Sequence, residues 1–520
     1  MMDQELLYPT GQQDFKKIRE QGKVYIDKTE LIPSLIKKNC VFLSRPRRFG
    51  KSLLLSTLRY YFEGEKDLFK GLAIYDLEKD WKKYPVLFLE FSRIDANDPD
   101  ALTGSLENQF SNLEEKYNID KVELPYSQRF DKIIRKVSEV TGQKVVILID
   151  EYDNPLINTI INSEIHERHK ELLKSVYSNL KPLDEYIEFA MLTGVSRFSK
   201  AGVFSGLNNL NDISFNEEYS TICGFTESEI RKYLWNGVRK LGEIENCEPR
   251  DAMQLLKSQY DGYHFAKDLT DVYNPYSLLN CLQDRQLSNY WIESGTPTFL
   301  VNRLKESDSS FQQIFNEEAD TMDLAAVDTA FSSPVALLFQ TGYLTIKSYE
   351  KKKNLYKLGV PNNEVREGFF TVLLSQWIEK DRRQTIRTVD QMRDCLDSGE
   401  IQEFLEMLRG FFAGISYRLT SKTPEIYFEN NLYVIFQLMG HEVLAEDETS
   451  WGRIGLTVKT ADYIYIFEIK VDKGACEALE QIKKKGYALK YANDRRQVIC
   501  VGVNFSSEQR NITDWLIFKV

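Results

Sequence analysis

Short apolar runs alternate with amphipathic stretches along the N-terminal part of the chain. Four runs rich in β-branched and aromatic residues are typical of buried strands, at residues 41–43, 84–91, 145–150 and 187–195. Apolar residues recur at helical spacing over 53–62, 101–117 and 129–141. Strands that alternate with helices in this way predict a mostly parallel, doubly wound α/β sheet.

The pattern changes after residue 225. Thr226-Glu-Ser-Glu229 has the spacing of a capping box and predicts a helix through Leu241. Residues 332–346 predict an apolar helix, a Gln-Thr-Gly turn and a strand, and the apolar stripe over 401–412 predicts a packed helix. Towards the end, a helix over 432–440, strands around Glu446 and over 452–458 and 461–470, a helix around Gln481 and a strand over 497–503 predict the order α-β-β-β-α-β.

Composition indicates a globular protein of several domains. A chain of 520 residues is long enough for two to four domains, and 42% hydrophobic with 28% charged residues is an ordinary mixture. The net charge of −11 argues against a strongly basic nucleic-acid coat but allows a local basic groove. Seven scattered cysteines without a C-x-x-C pair predict neither structural zinc nor a disulfide framework, so we expect a reducing cytoplasm. We expect no signal peptide and no membrane span, because no apolar run approaches the ~20 residues that a span requires.

The loop between the first strand and the first long helix is the strongest chemical signal. Gly50-Lys51-Ser52 closes a strand–loop–helix unit, the context that a phosphate-binding loop (Walker A) requires. Gly50 lets the backbone approach phosphates, Lys51 reaches the outer phosphates, and the Ser52 hydroxyl ligates Mg²⁺. The pattern departs from G-x-x-x-x-G-K-[ST] because Arg45 occupies the first glycine position. A surface loop with a chance Gly-Lys-Ser is the alternative.

Acidic and polar residues end two of the predicted strands. Asp150 and Glu151 end the third run, where ligands of open α/β sheets bind. We expect Asp150 to hold Mg²⁺ and Glu151 to polarise the water that attacks the γ-phosphate. Thr193 is our candidate for sensing the phosphate or orienting the water, and Arg197 for neutralising transition-state charge. The alternative is two solvated strand-end turns.

These motifs carry a resemblance over nearly the whole chain. The sequence is similar to a bacterial AAA-ATPase-like family that has a C-terminal PD-(D/E)XK nuclease-superfamily domain. The motifs of the resemblance are Tyr25-Ile-Asp-Lys-Thr29, Arg45-Pro-Arg-Arg-Phe-Gly-Lys-Ser52, Leu148-Ile-Asp-Glu-Tyr-Asp153, Leu192-Thr-Gly-Val-Ser-Arg197, Tyr273-Asn-Pro-Tyr-Ser277, Phe339-Gln-Thr-Gly-Tyr-Leu344 and Phe467-Glu-Ile-Lys470, with Gln481 and Tyr487.

The resemblance implies the fold and the ligands. It implies an α/β P-loop NTPase core over 1–215, a helical lid over 216–285, a helical, winged-helix-like middle region over 286–415 and a restriction-endonuclease-like α/β domain over 416–520. The resemblance includes Arg45, so an arginine at this position of the loop is what the family implies. ATP and Mg²⁺ are the implied cofactors, and the implied nucleotide-binding residues are Arg45, Pro46, Arg47, Arg48, Phe49, Gly50, Lys51, Ser52 and Leu53.

The last domain has an incomplete set of nuclease residues. Chemistry of the PD-(D/E)XK type needs a carboxylate on one strand and Glu-x-Lys on the next, here Glu468 and Lys470, with Glu468 on Mg²⁺. The family has aspartate where this chain has Gly455, and glycine cannot ligate a metal. We therefore expect poor cleavage or none. The rival hypothesis is that Glu468 together with a helix acid, Glu425 or Glu429, suffices.

Three functions remain open at the level of the sequence. The first is an ATP-binding and ATP-hydrolysing protein coupled to a degenerate nuclease domain that binds DNA or RNA. The second is an active, ATP-regulated endonuclease, and the third is a nucleotide-gated scaffold without enzymatic activity. Lys483, Lys484, Lys485, Lys490, Arg495 and Arg496 form either a phosphate-binding face or a solvated charge run. A homo-oligomer is a candidate assembly.

Overall fold

The architecture was determined from a computed structural model. It describes residues 6–95, 98–160, 162–197, 203–204, 206–207, 209–294, 300–301, 304, 311–325, 334–375, 382–414, 424–449 and 452–520, with the backbone alone at 312, 325, 382–383, 424–427, 429, 442, 445–449 and 452–454. The described residues divide into two compact units. Unit 1 comprises 1–291 and 317–362, and unit 2 comprises 292–316 and 363–520.

The strands of the described residues are numbered in chain order. They are β1 Cys40–Ser44, β2 Val86–Glu90, β3 Val145–Asp150, β4 Ile187–Gly194, β5 Asn211–Asp212, β6 Glu318–Ala319, β7 Thr345–Glu350, β8 Leu355–Gly359, β9 Glu442–Thr449, β10 Gly452–Lys459, β11 Tyr463–Val471, β12 Gln497–Ser506 and β13 Asn511–Lys519.

The α-helices of the described residues are numbered in the same way. They are α1 Phe15–Glu20, α2 Ile32–Ile36, α3 Lys51–Phe62, α4 Ala73–Leu77, α5 Ala101–Lys116, α6 Tyr126–Thr141, α7 Asn154–Ile157, α8 Ser163–Tyr177, α9 Glu227–Glu229, α10 Trp235–Ile244, α11 Pro249–Tyr260, α12 Pro275–Asp284, α13 Tyr290–Glu293, α14 Phe311–Phe315, α15 Pro334–Thr341, α16 Asn363–Ser375, α17 Arg382–Ser398, α18 Ile401–Phe412, α19 Pro424–Met439 and α20 Ala475–Lys484. Short 3-10 turns cover Thr29–Leu31, Lys66–Phe69, Ser178–Leu180, Asp184–Tyr186, Glu217–Tyr219, Asp323–Ala325 and Tyr487–Tyr491.

Unit 1 is built on a parallel sheet in the order β2-β3-β4-β1-β5, which confirms the predicted doubly wound α/β class. One face of the sheet, including Ile147 and Ile149, packs against α5, α6 and α8, and α3 covers the opposite face. A sheet covered by helices on both faces explains why its strands are continuous apolar runs. The order also brings the ends of β3, β4 and β1 together at one edge.

The helices that follow residue 225 begin at the predicted position, Thr226. The capping box forms as expected, with the Thr226 hydroxyl accepting from the Glu229 N–H and the Glu229 carboxylate accepting from the Thr226 N–H. The continuous helix expected through Leu241 is interrupted by a π-helical turn over Ile230–Leu234. Later in unit 1, β6, β8 and β7 form a small antiparallel sheet.

Unit 2 is built on a mixed sheet in the order β13-β12-β11-β10-β9. Strands β9, β10 and β11 are antiparallel neighbours, β12 runs parallel to β11, and α20 packs on β11 and β12 through Leu479 and Ile482. The predicted α-β-β-β-α-β order is confirmed, with β13 as an additional edge strand. The four-part division of the chain at 215, 285 and 415 stays a prediction.

Candidate functional site

The loop after β1 turns sharply into α3 at Gly50. Gly50 has φ +94°, a conformation that L side chains rarely adopt, and the space that a side chain would fill there is open. Helix α3 starts at Lys51, and its first intrahelical bond runs from the Leu54 N–H to the Gly50 carbonyl. The strand–loop–helix unit expected from the sequence is therefore present.

Lys51 is buried against its own loop. Its ammonium donates to the carbonyls of Arg45 at 2.9 Å and Pro46 at 3.0 Å, and the residue is 5% exposed. Burial lowers the pKa of Lys51, and the carboxylates of Glu151 and Asp150 oppose that effect. The lysine and the acidic pair thus lie on the same edge of the sheet and sense each other's charge.

The acidic pair is held in a defined geometry at the end of β3. The Thr193 hydroxyl donates to Asp150 Oδ1 at 2.7 Å, so the predicted Thr193 faces the metal candidate. Glu151 has φ +51°, which is uncommon for a residue other than glycine, and the surrounding fold has to enforce it. Desolvation raises the pKa of Glu151, and the nearby charges of Lys51 and Arg47 oppose the shift. A carboxyl with a raised pKa is suited to accept a proton near neutral pH.

Asp153 is a further acid at this edge to which the sequence assigned no role. It is 1% exposed and accepts the backbone N–H groups of Val195 (3.0 Å) and Ser196. A side chain at Gly194 would collide with Asp153 and Tyr152, so this close approach requires glycine. Burial raises the pKa of Asp153 to about 6, against the opposing Ser196 N–H and Lys51. Its signal in the sequence was the third acid of the Asp150-to-Asp153 motif.

Arg197 points away from the acidic pair. Its guanidinium forms an ion pair with Asp212 on β5, on the far side of β1 from β3, and lies 5.8 Å from the centre of the Phe215 ring. Its backbone N–H donates to Gln340 Oε1 at 2.8 Å. The role of Arg197 in neutralising transition-state charge stays a prediction, and it requires the pair with Asp212 to open.

Arg45 fills the interior beside the loop. Its guanidinium donates to the carbonyls of Ser44, Ser214 and Tyr219 and stacks 4.2 Å from the centre of the Phe265 ring. The residue is 2% exposed, and burial lowers the pKa of its guanidinium to about 10. The Arg45 side chain therefore holds the loop against the 214–219 segment, and only the backbone of Arg45 lines the loop.

The other loop residues divide between packing and exposure. Phe49 is buried against the rings of Tyr263 and Phe265. Arg48 has φ +68° and lies over the Tyr276 ring at 5.0 Å. The remaining members of the predicted nucleotide-binding set differ in burial. Ser52 and Leu53 are half-buried, Arg47 is exposed and Pro46 is buried.

In unit 2, Glu468 lies at the centre of the nuclease-like site. Its Oε1 accepts from Gln481 Nε2 at 2.7 Å and from Lys470 Nζ at 3.2 Å, and its Oε2 is buried beside Gly455, whose backbone N–H favours the charged carboxylate. Burial raises the pKa of Glu468, and Lys470 opposes that effect. Gly455 lies beside it on β10, and a Cβ added there would stand 3.6 Å from Glu468 Oε2. The predicted residues converge, with glycine at the place of the second acid.

The remaining candidates of this unit are placed only in part. The side chains of Glu425 and Glu429 lie outside the described residues. Among the described residues, the group of three acids or thiols that could share an ion is Cys395, Glu400 and Glu403, which does not include Glu468. In the predicted basic face, Arg496 is paired with Asp494, whereas Lys483, Lys484, Lys485, Lys490 and Arg495 are exposed.

Comparison with known proteins gives the class. Residues 9–204 match the model of a predicted AAA-ATPase, and residues 423–515 match the PD-(D/E)XK nuclease superfamily. The chain belongs to the family of predicted AAA-ATPases that carry this nuclease-superfamily domain.

One relative illustrates the extent of the match. The chain is 35% identical over 520 residues to a protein of Azotobacter chroococcum mcd 1 described as an uncharacterized protein in the vnfD 5′ region, and the match covers 98% of both chains. Among the described residues, no helix combines the length and the apolar character that crossing a membrane demands.

Proposed function

We propose that this protein binds ATP with Mg²⁺ and hydrolyses it, and that its nuclease-like unit binds nucleic acid without efficient cleavage. The observation that carries the ATPase proposal is Lys51, a buried ammonium that rests on the carbonyls of its own loop within reach of the charges of Asp150 and Glu151. A buried cation on exchangeable carbonyl acceptors is suited to transfer its hydrogen bonds to an incoming phosphate. The match to a predicted AAA-ATPase over residues 9–204 supports the same assignment.

The residues at this edge fit a magnesium–triphosphate group. Ser52 and Asp150 would hold the ion, because a hydroxyl and a carboxylate are oxygen ligands that Mg²⁺ accepts. When bound, the ion neutralises charge on the phosphate oxygens and orients them. Thr193 fixes Asp150 through its hydroxyl, and Glu151, with its raised pKa, takes the proton from the attacking water. Arg47, exposed on the loop, adds positive charge near the phosphates.

The nuclease-like unit fits a metal poorly. Glu468 contributes one carboxylate, whose Oε1 is already engaged by Gln481 and Lys470, and Gly455 contributes no side-chain ligand. Loss of one of a small set of hard oxygen ligands weakens a Mg²⁺ site. The exposed lysines of this unit support DNA or RNA as the partner, through sequence-independent phosphate contacts. The alternative of an active endonuclease is decided by cleavage assays.

Two further expectations belong to this proposal. The seven cysteines are free, which supports a reducing compartment such as the cytoplasm. A homo-oligomer stays a prediction that size measurement with and without ATP would test.

The first experiment replaces Lys51 with methionine. Methionine keeps most of the buried side-chain volume but removes the ammonium, so we expect at least a ~100-fold loss of ATP affinity in titration with a fluorescent ATP analogue. The matched control is Lys257→Met, which removes a lysine paired with Asp271 in the same unit and should leave affinity unchanged. Equal affinity in wild type and Lys51→Met would refute the nucleotide site.

A further inference from the structure

The segment that follows residue 333 contacts the phosphate-binding loop, although it lies far beyond the region matched as an ATPase, residues 9–204. It consists of α15, the turn at Gly342 and the start of β7. The sequence singled out its Phe339-Gln-Thr-Gly-Tyr-Leu344 motif, and the proposed catalytic scheme gives that motif no task. Two of its residues make contacts that reach the nucleotide site.

Gln340 bridges this segment to the turn after β4. Its Oε1 accepts the backbone N–H of Arg197 at 2.8 Å, and its Nε2 donates to the carbonyl of Leu324 at 2.6 Å. The side chain is buried, with both ends of the amide occupied, so its orientation is fixed. Arg197 lies four residues after Thr193 on the same strand end, and Asp153 holds the two residues before it. Gln340 therefore fixes the outer end of the turn that carries Thr193.

Gly342 touches the loop itself. It has φ +91°, and a Cβ added there would stand 2.7 Å from the Cβ and 2.9 Å from the Cγ of Pro46. Trp291 completes the contact, because its indole N–H donates to the Arg47 carbonyl at 3.0 Å and its ring lies 5.1 Å from that of Tyr343. The carbonyl of Pro46 is one of the two acceptors of Lys51, so a displacement of Pro46 moves an acceptor of the phosphate-binding lysine.

The segment is anchored firmly enough to act as a fixed support. Leu338 and Ile346, on either side of the turn, are buried. The Thr345 hydroxyl accepts from the His264 N–H at 2.7 Å, and the His264 ring bonds to the Ile346 carbonyl at 2.6 Å. A turn held on both sides by buried residues transmits its position to whatever it contacts.

We propose that the 334–344 segment is part of the ATP site, with Gln340 as a positioning residue for the strand end of Thr193 and Arg197, and Gly342 as the seat of Pro46. The proposal rests on the proposed ATPase function. The two residues act at different places. Gln340 positions the strand end that carries Thr193 and Arg197, which are proposed to act in the chemical step. Gly342 positions the loop that is proposed to bind the phosphates.

The test separates these two effects. Gln340→Met keeps volume but removes both hydrogen bonds, so we expect kcat to fall by about 10-fold to 100-fold while the affinity for a fluorescent ATP analogue stays within about 2-fold. Gly342→Ala pushes Pro46 outward, so we expect affinity to fall by about 10-fold. A general loss of folding would lower both quantities together in both variants, so this division distinguishes positioning from stability.

Two controls accompany these variants. Gly71→Ala places alanine at φ +80° with no atom within 4 Å, so it carries the backbone strain of Gly342→Ala without the collision and should retain wild-type affinity. Gln340→Glu keeps the acceptor for the Arg197 N–H and loses the donor to Leu324, so its kcat should exceed that of Gln340→Met even where its melting temperature is equally low.

The outcomes distinguish this inference from the function on which it rests. Wild-type kcat and affinity in both variants, or parallel losses that follow the melting temperature, overturn it. If Lys51→Met loses ATP while Gln340→Met and Gly342→Ala behave as wild type, the ATPase proposal stands and this inference fails. If the wild-type protein does not bind ATP, both fail.

Discussion

The two candidate sites of this protein differ in the groups that surround their carboxylates. At the edge of the parallel sheet, Asp150 accepts a hydrogen bond from Thr193, and the buried Lys51 lies among carboxylates. In unit 2, Glu468 accepts hydrogen bonds from Gln481 and Lys470 through one oxygen, and its other oxygen is buried beside Gly455. The comparison teaches that the two units surround a strand carboxylate differently: Asp150 has further acids beside it, whereas Glu468 has a glycine on the neighbouring strand where the resemblance predicted an acid.

The largest expected effect comes from disabling the complete site. Glu151→Gln removes the proposed proton acceptor but keeps the shape of the side chain, so we expect turnover to fall by about 100-fold or more while ATP affinity is retained. Steady-state phosphate release and titration with a fluorescent analogue measure the two quantities. Glu90→Gln, on the neighbouring strand β2, is the control. Nucleotide binding without turnover in the wild type, unchanged in Glu151→Gln, would favour a nucleotide-gated scaffold.

The next effect comes from repairing the incomplete site. Gly455→Asp places a carboxylate next to Oε2 of Glu468, at the cost of a tight contact of 3.2 Å between the new Cβ and the Phe467 carbonyl. We expect Mn²⁺ affinity to rise by about 10-fold or more, measured by calorimetry, and metal-dependent cleavage of plasmid DNA to appear. Gly455→Asn adds the same volume without the charge and should remain inactive. Cleavage by the wild type at the rate of Gly455→Asp would show that Glu468 suffices.

The last prediction concerns the effect of pH on the free energy of unfolding, through the buried Asp153. Because burial raises the pKa of Asp153 from 3.8 to about 6, the folded protein binds this proton more tightly than the unfolded chain. The free energy of unfolding should therefore fall as pH rises from about 4 to about 6 and stay level above that, by an amount on the order of 2–3 kcal/mol.

Asp153→Asn keeps an acceptor for Val195 and Ser196 and removes the proton. The difference in melting temperature between this variant and wild type should therefore grow in favour of the variant over that pH range. Asp76→Asn, at an exposed acid, is the control. A difference that does not depend on pH would contradict the assignment.

The sequence predicted those parts of the sites that depend on local order. Gly50, Lys51, Asp150 and Glu151 follow directly from strands and a helix whose apolar patterns are strong, so their meeting at one sheet edge was predictable. Glu468 and Lys470 were predictable for the same reason, since they lie two residues apart on one strand.

The orientations of side chains whose partners lie far away in the sequence were not predictable. Arg45 was expected to bind the nucleotide, yet its guanidinium turns inward because carbonyls about 170 residues later accept its hydrogen bonds. Arg197 is paired with Asp212 through a strand neighbour that no local pattern indicates. The supporting role of Gln340 arises only when α15 packs beside the loop, and the edge strand β13 was missed although its residues alternate.

The chain crosses between the two units three times, at residues 291–292, 316–317 and 362–363. Within unit 2, the rings of Phe311 and Phe315 on α14 pack among aromatic residues that come after residue 363, including Phe370 and Tyr433. A shortened protein that ended at residue 362 would still carry Phe311 and Phe315 but none of these later rings. The apolar surface of these two side chains would then be exposed to solvent. Phe311 and Phe315 therefore depend on the later part of unit 2 for their burial.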